Sequence, residues 1–186
     1  MSERGDEELV VLSQNGDAHA FAELVERYKG MVFTLTYRML GDMNAAEDIA
    51  QDVFVRAYKA LPRFRREAKF STWLYRICYN LCLTVIKKRR NEFSYTRAQV
   101  EPGESVEESY EKRELQKKVR ELMSELPPTY SSAITLRHIH GLSYDEISQV
   151  LGQPLGTTKS TISRAREMLK KLALEKIGWE VIREVL

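Results

Sequence analysis

Between Arg63 and Arg90 the chain interleaves cations with aromatic rings: Arg63, Phe64, Arg65, Arg66, Lys69, Phe70, Trp73, Tyr75, Arg76 and Tyr79, then the tetrad Lys87, Lys88, Arg89 and Arg90. Cations track phosphates, and an exposed ring stacks on an unpaired base of any identity, at roughly 1–3 kcal/mol per base. The chemistry expected of this block is capture of single-stranded nucleic acid. Tyr75 and Tyr79, four residues apart, are the expected stacking platforms. Phe70 is expected in the core, and Trp73 is open between core and platform. Asn80 suits a hydrogen bond to an extruded base, or equally a capping or bridging role. Lys87 and Lys88 are expected on phosphates rather than as an ordinary solvated helix end, because they edge so basic a segment.

A second constellation lies between Ser143 and Lys171. Ser143, Tyr144, Asp145 and Glu146 have the form of a capping box, and Ile147, Val150 and Leu151 give the short helix behind it an inner face. Gly152, Gln153 and Pro154 make a break. Thr157, Thr158, Lys159, Ser160 and Thr161 then open a longer helix that carries Ser163, Arg164 and Arg166. Two helices joined by a tight glycine turn, the second one basic, form the pattern of a helix-turn-helix. Short polar groups at the start of the second helix can approach phosphates and base edges, and an arginine further along can read guanine or hold the backbone. A merely solvated helix end is the plainer reading. The capping box, apolar trio, turn and polar run together favour duplex DNA.

No constellation of a catalyst accompanies these. Asp48 and Asp52 share a helix face without company, and His138 and His140, two apart, point in different directions. Cys78 and Cys82 supply half a metal site with no evident third ligand, and are read as small packing residues. No glycine-rich phosphate loop or nucleophile motif occurs. The chain is read as no enzyme, with no cofactor and no metal.

The elements that must position these residues follow from apolar period and charge. Phe21, Leu24, Val25, Tyr28, Val32 and Leu35 recur at helical steps after a plausible N-cap at Asp17, with Gly41 as the stop. A second helix is expected from Asn44, capped in combination with Glu47 and ended by Pro62. A third is expected from Ser71 or Thr72, its stripe running Phe70, Leu74, Ile77, Leu81 and Val85. Periodicity returns at Leu115, Val119, Leu122, Met123 and Leu126, and a further helix is expected from Thr129 to His140.

No stretch alternates like a strand, so the expected fold is all-α. Two small helical domains, 17–90 and 113–175, are joined by a flexible acidic linker at 91–112, with an N-terminal extension at 1–16 and a helical tail at 176–186. Lys and Arg minus Asp and Glu gives −7 for 1–55, +10 for 56–90, −5 for 91–111 and +4 for 112–186. A polyanion is therefore drawn to the basic segments and repelled by the connector. No apolar run reaches the roughly 18 residues of a membrane helix. Two cysteines four apart on a helix suit a reducing compartment, and the reading is of a cytoplasmic protein.

The block AEDIAQDVFVRAYKALPRF (Ala46 to Phe64) with FSTWLYRICYNL (Phe70 to Leu81) resembles region 2 of the extracytoplasmic-function (group IV) sigma factors of the sigma-70 family. The block from Leu126 to Leu169, with GLSYDEISQVLGQPLGTTKSTISRAREML at its end, resembles their region 4. The likeness covers about residues 17–175, and the larger sigma domain between the blocks is missing.

It implies that Asp48, Gln51, Asp52 and Phe54 dock on the clamp helices of the largest subunit of core RNA polymerase. The block from Phe64 to Asn80 would recognise and open the −10 element, and the recognition helix would read the −35 duplex through Thr157, Lys159, Ser160, Ser163 and Arg164. An anti-sigma factor is implied as a further partner. Thr84 stands where many members have Asp, Lys87 near where many have Arg, and Thr158 and Thr161 replace a valine and an arginine. The rival reading is a conventional helix-turn-helix regulator that binds duplex DNA without polymerase. Against it stands the aromatic and basic block, which duplex readers do not need.

Overall fold

The computed structural model describes residues 4–92, 118, 119 and 121–176. The expected linker beyond Glu92, the expected tail beyond Lys176, and Leu115 lie outside the described residues. Every regular element among the described residues is helical: α1 (Asp6–Gln14), α2 (Ala18–Leu40), α3 (Met43–Ala60), a single 3₁₀ turn (Leu61–Arg63), α4 (Phe70–Glu92), α5 (Pro128–Ile134), α6 (Tyr144–Leu151) and α7 (Leu155–Lys176).

The first domain is a bundle of α1 to α4. The Asp17 carboxylate accepts the His19 and Ala20 N–H groups at 2.8 and 3.2 Å, and Gly41, at φ 71°, ends α2 in the left-handed conformation that costs glycine nothing. Leu24, Val32 and Leu35 then face inward, fully buried. At the head of α3 the cap differs from expectation. Asp42 accepts the Ala45 N–H at 2.7 Å, so α3 starts at Met43 and Glu47 points to solvent. A carboxylate two residues upstream was available to those N–H groups, and it displaced Asn44.

The segment read as an extension holds α1. Leu9 and Val10 are buried, and the Gln14 side-chain amide donates to the Leu61 and Phe64 carbonyls, both at 2.9 Å. Its apolar face spans barely two turns, too short for period alone to reveal. The better signal was Asp6, Glu7 and Glu8 in the first turn, where carboxylates offset the helix dipole. At its other end α4 runs on through Asn91 and Glu92, into the expected linker.

The second domain has a small core of its own in Met123, Leu126, Ile134 and Ala165, with Tyr130, Leu169 and Leu172 packed on it. Beyond α5 the coil widens to a π turn over Thr135–Ile139, where the His140 N–H reaches the Thr135 carbonyl five residues back at 3.1 Å. The capping box forms as expected. Ser143 Oγ accepts the Glu146 N–H at 3.2 Å, and Glu146 Oε2 accepts the Ser143 N–H at 2.8 Å.

The two domains touch. Phe70, Leu74 and Cys78 of α4 belong to one apolar cluster with Ile147, Val150 and Leu151 of α6. Around it Lys69 pairs with Glu146 at 2.8 Å, the Tyr79 and Thr129 hydroxyls lie 3.3 Å apart, and the Tyr75 ring meets that of His140. Apolar period along single helices carries no information about such a meeting, so the sequence reading held the modules apart.

Candidate nucleic-acid interface

The basic segment is displayed by a short irregular loop between two anchors. Pro62 sits in the 3₁₀ turn, Phe64 turns inward, and its ring lies 4.7 Å from Trp73 and 6.3 Å from Phe70. Arg63, Arg65, Arg66, Lys69 and Arg76 are left exposed. Arg66 has φ 59°, a left-handed conformation that a side chain with a Cβ seldom adopts and that clusters at functional sites.

Between this loop and α1 opens a cleft of about 610 Å³. Arg66, Glu67 and Lys69 of the loop line it, together with Asp6 and Glu7 of α1 and Tyr28 of α2. The Tyr28 hydroxyl donates to Asp6, and burial together with that bond holds its pKa well above the ordinary value, so it stays a neutral donor.

Two of the expected stacking rings are not available in this arrangement. Tyr75 is 2% and Tyr79 4% exposed. Tyr75 donates to the Met31 sulfur at 3.1 Å, and both rings lie beneath residues of the second domain. They face the inside of the helix stripe that also carries Cys78 and Cys82, which are buried free thiols. Trp73 is half-buried and stacked on Phe64, and Phe70 is in the core as expected. Asn80 lies on the open face of α4, where its carbonyl accepts the Thr84 hydroxyl at 2.9 Å, and it lines neither described cavity. Lys87 and Lys88 are exposed near the end of the same helix.

On the outer face of α3, Asp48 and Gln51 are exposed and Asp52 partly so, its carboxylate 3.2 Å from the Arg56 guanidinium. Phe54 is half-buried against the core. Val55 and Tyr58 were missed. Both are 49% exposed, and the steps 48, 51, 55 and 58 put them on the Asp48 face, with Phe21 of α2 packed 4.9 Å from the Tyr58 ring. That spacing was legible in the sequence.

The recognition helix starts two residues earlier than expected, at Leu155. Thr157, Lys159, Ser160, Ser163, Arg164 and Arg166 are exposed. Thr158 and Thr161 are not, which overturns their assignment to DNA. Thr158 is fully buried and donates to the Pro154 carbonyl at 3.2 Å, and the hydroxyl of Thr161, 7% exposed, bonds the Gln153 side chain at 3.3 Å. Each stands four residues before a buried apolar residue, Ile162 and Ala165, and so shares the inner face of α7. Arg166 donates to His138 Nε2 at 3.3 Å. Desolvation first, then Arg166 and Arg137, hold His138 below its ordinary pKa, so it remains an acceptor. Arg137 in turn lies 5.0 Å over the Tyr144 ring and donates to the Leu142 carbonyl at 2.8 Å, fixing the angle at which α6 leaves the turn.

The description "Sigma-70 region 2" matches residues 24–92, and "Sigma-70, region 4" matches residues 116–169. Over 171 residues the chain is 39% identical to the ECF RNA polymerase sigma factor SigW of Bacillus subtilis, covering 85% of this chain and 91% of that protein. The chain belongs to the extracytoplasmic-function sigma factors. The ECF RNA polymerase sigma-E factor of Escherichia coli is 38% identical over 178 residues, 88% of this chain and 92% of that one. The solved structure of CnrH with the cytosolic domain of CnrY superposes at a TM-score of 0.69 and 27% identity, over 92% of this chain and 98% of that one. Like its family, this sigma factor directs transcription initiation and is not itself an enzyme. No described helix is long and apolar enough to cross a membrane.

Proposed function

We propose that this sigma factor divides promoter recognition between its two domains. The outer face of α3, with Asp48, Gln51 and Asp52 ringing Val55 and Tyr58 and Phe54 beneath, docks on the clamp of core RNA polymerase. A half-exposed aromatic and aliphatic pair ringed by polar groups is the anatomy of an interface anchor. The loop and α4 surface formed by Arg63, Arg65, Arg66, Lys69, Trp73, Arg76, Lys87 and Lys88 hold the melted −10 strand. The unstacked base enters the cleft beside Arg66 and Lys69, whose walls contrast with the open surface at Asn80. Thr157, Lys159, Ser160, Ser163, Arg164 and Arg166 grip the −35 duplex. The acidic connector lies near the polymerase's active-site channel, where it mimics nucleic-acid charge. An anti-sigma factor is the expected inhibitor, as membership of the family implies, and the similar CnrH was solved in complex with another protein, the cytosolic domain of CnrY.

The observation that carries this reading is the segregation of two exposed cationic surfaces, one beside a walled cleft and one at the start of a recognition helix. Run-off transcription with purified core enzyme tests it. Lys159→Ala with Arg164→Ala should abolish start-site selection while leaving core binding intact, and Asp48→Arg should weaken core binding. Normal transcription by both variants would overturn the assignment.

A further inference from the structure

Arg166 is the last of the residues assigned to the −35 duplex, and it is the one whose guanidinium is held by a side chain from another element. The steps 159, 163 and 166 put it on one stripe of α7 with Lys159 and Ser163, all three exposed. A long exposed arginine loses rotamer freedom when DNA fixes it, and that loss is subtracted from the affinity. A neighbour that fixes the arginine beforehand removes the loss.

His138 is that neighbour. It stands ahead of the helix-turn-helix, in the widened turn Thr135–Ile139, where Arg137 turns inward to the Leu142 carbonyl and His138 stays at the surface. Arg166 gives one edge of its guanidinium to a single acceptor: Nε lies 3.3 Å and Nη2 3.2 Å from His138 Nε2. Nη1 and the second hydrogen of Nη2 remain for the acceptors of a guanine edge or a phosphate. Nε2 can accept only while the imidazole is neutral with its proton on Nδ1, and a neutral acceptor orients the cation without cancelling its charge. The charged groups that face His138 are Arg166 of α7 and Arg137 of its own turn, and after burial both favour the neutral ring.

We propose that His138 is a positioning residue for −35 recognition: from the widened turn it holds the Arg166 guanidinium in the plane in which that arginine meets the duplex. This rests on the reading of Arg166 as a −35 contact. In the sequence His138 stands as an isolated histidine, because its bond to Arg166 spans 28 positions.

The test is holoenzyme binding to a promoter it transcribes, compared with the same fragment carrying a scrambled −35 element. The ratio of the two affinities should fall about three- to tenfold in His138→Ala, as expected when one long side chain is left unordered. The melting temperature of the free chain should stay at the wild-type value, since His138 is exposed. His138→Gln should restore the ratio, because its amide oxygen offers an acceptor near the place of Nε2. In an Arg166→Ala background, His138→Ala should change nothing further.

An unchanged ratio in His138→Ala, failure of glutamine to restore it, or an equal loss with and without Arg166 would overturn the proposal. Arg166→Ala alone tests the underlying reading separately: an unaltered ratio would remove Arg166 from the −35 set, whereas a loss there beside a silent His138→Ala would sink the positioning role and leave that reading standing.

Discussion

The ring of Tyr75 on α4 lies 5.0 Å from the ring of His140, inclined at 34°, so a residue of the first domain roofs the turn that leads into the helix-turn-helix. Burial, reinforced by the neighbouring charge of Arg38, brings the pKa of His140 down to about 4.

Stability should consequently depend on pH through His140. The depressed value means that the unfolded chain, with an ordinary histidine near 6.5, binds the proton more readily than the folded one between about pH 6.5 and 4. Stability is complete above that window and is lost as pH falls through it, at no more than about 1.4 kcal/mol per pH unit, reduced by solvent screening. Urea midpoints at pH 7 and pH 5 should differ in the wild type, and His140→Gln should flatten the difference. The ion pair contributes little here, because Lys69 and then the Ser143 N–H hold the Glu146 carboxyl below its ordinary range.

Gln14 should matter more than an exposed helix end suggests. Its amide serves two carbonyls of the segment that leads into the basic loop, and Gln14→Ala strips both. A loss of about 1–3 kcal/mol is expected, with the melting temperature falling about 2–4 °C for each kcal/mol. Differential scanning calorimetry measures it.

Thr158→Val should be silent at the promoter. The side chain is buried and its hydroxyl serves only the Pro154 carbonyl, so a change that keeps shape and loses one bond costs about 1 kcal/mol. Start-site selection should be unchanged in run-off assays, whereas Ser160→Ala with Arg164→Ala should alter it.

Arg66→Gly separates backbone from charge. Glycine adopts the left-handed conformation at φ 59° freely, so stability should stay within about 1 kcal/mol of the wild type. Strand binding should weaken, and the slope of log affinity against log salt for a −10 single strand should fall by about 0.7 for the phosphate contact removed.

Much of this was legible before any coordinates. Asp17, Gly41, Ser143, Glu146 and Gly152 occupy the helix ends their chemistry favours. Local signals of that kind act within a single turn and need no knowledge of the fold. The inward placing of Tyr75 and Tyr79 was misjudged because four-residue spacing says that two rings share a face, and not which face meets another element. Thr158 and Thr161 stand four residues before Ile162 and Ala165, on the inner stripe of α7, and the polar chemistry of the two threonines outweighed that spacing in the reading. The contact between α4 and α6 joins residues some seventy positions apart, and a pattern confined to one helix is silent on it.

The widened turn at Thr135–Ile139 sets a rule for how this chain can vary. Deleting one residue there would restore an ordinary coil and swing everything downstream around by about 100°, aiming Thr157 and Arg164 away from the groove they address. Between Pro128 and Gly141, then, the number of residues sets where the second domain points, and the buried Ala133 and Leu136 set how firmly it is held there.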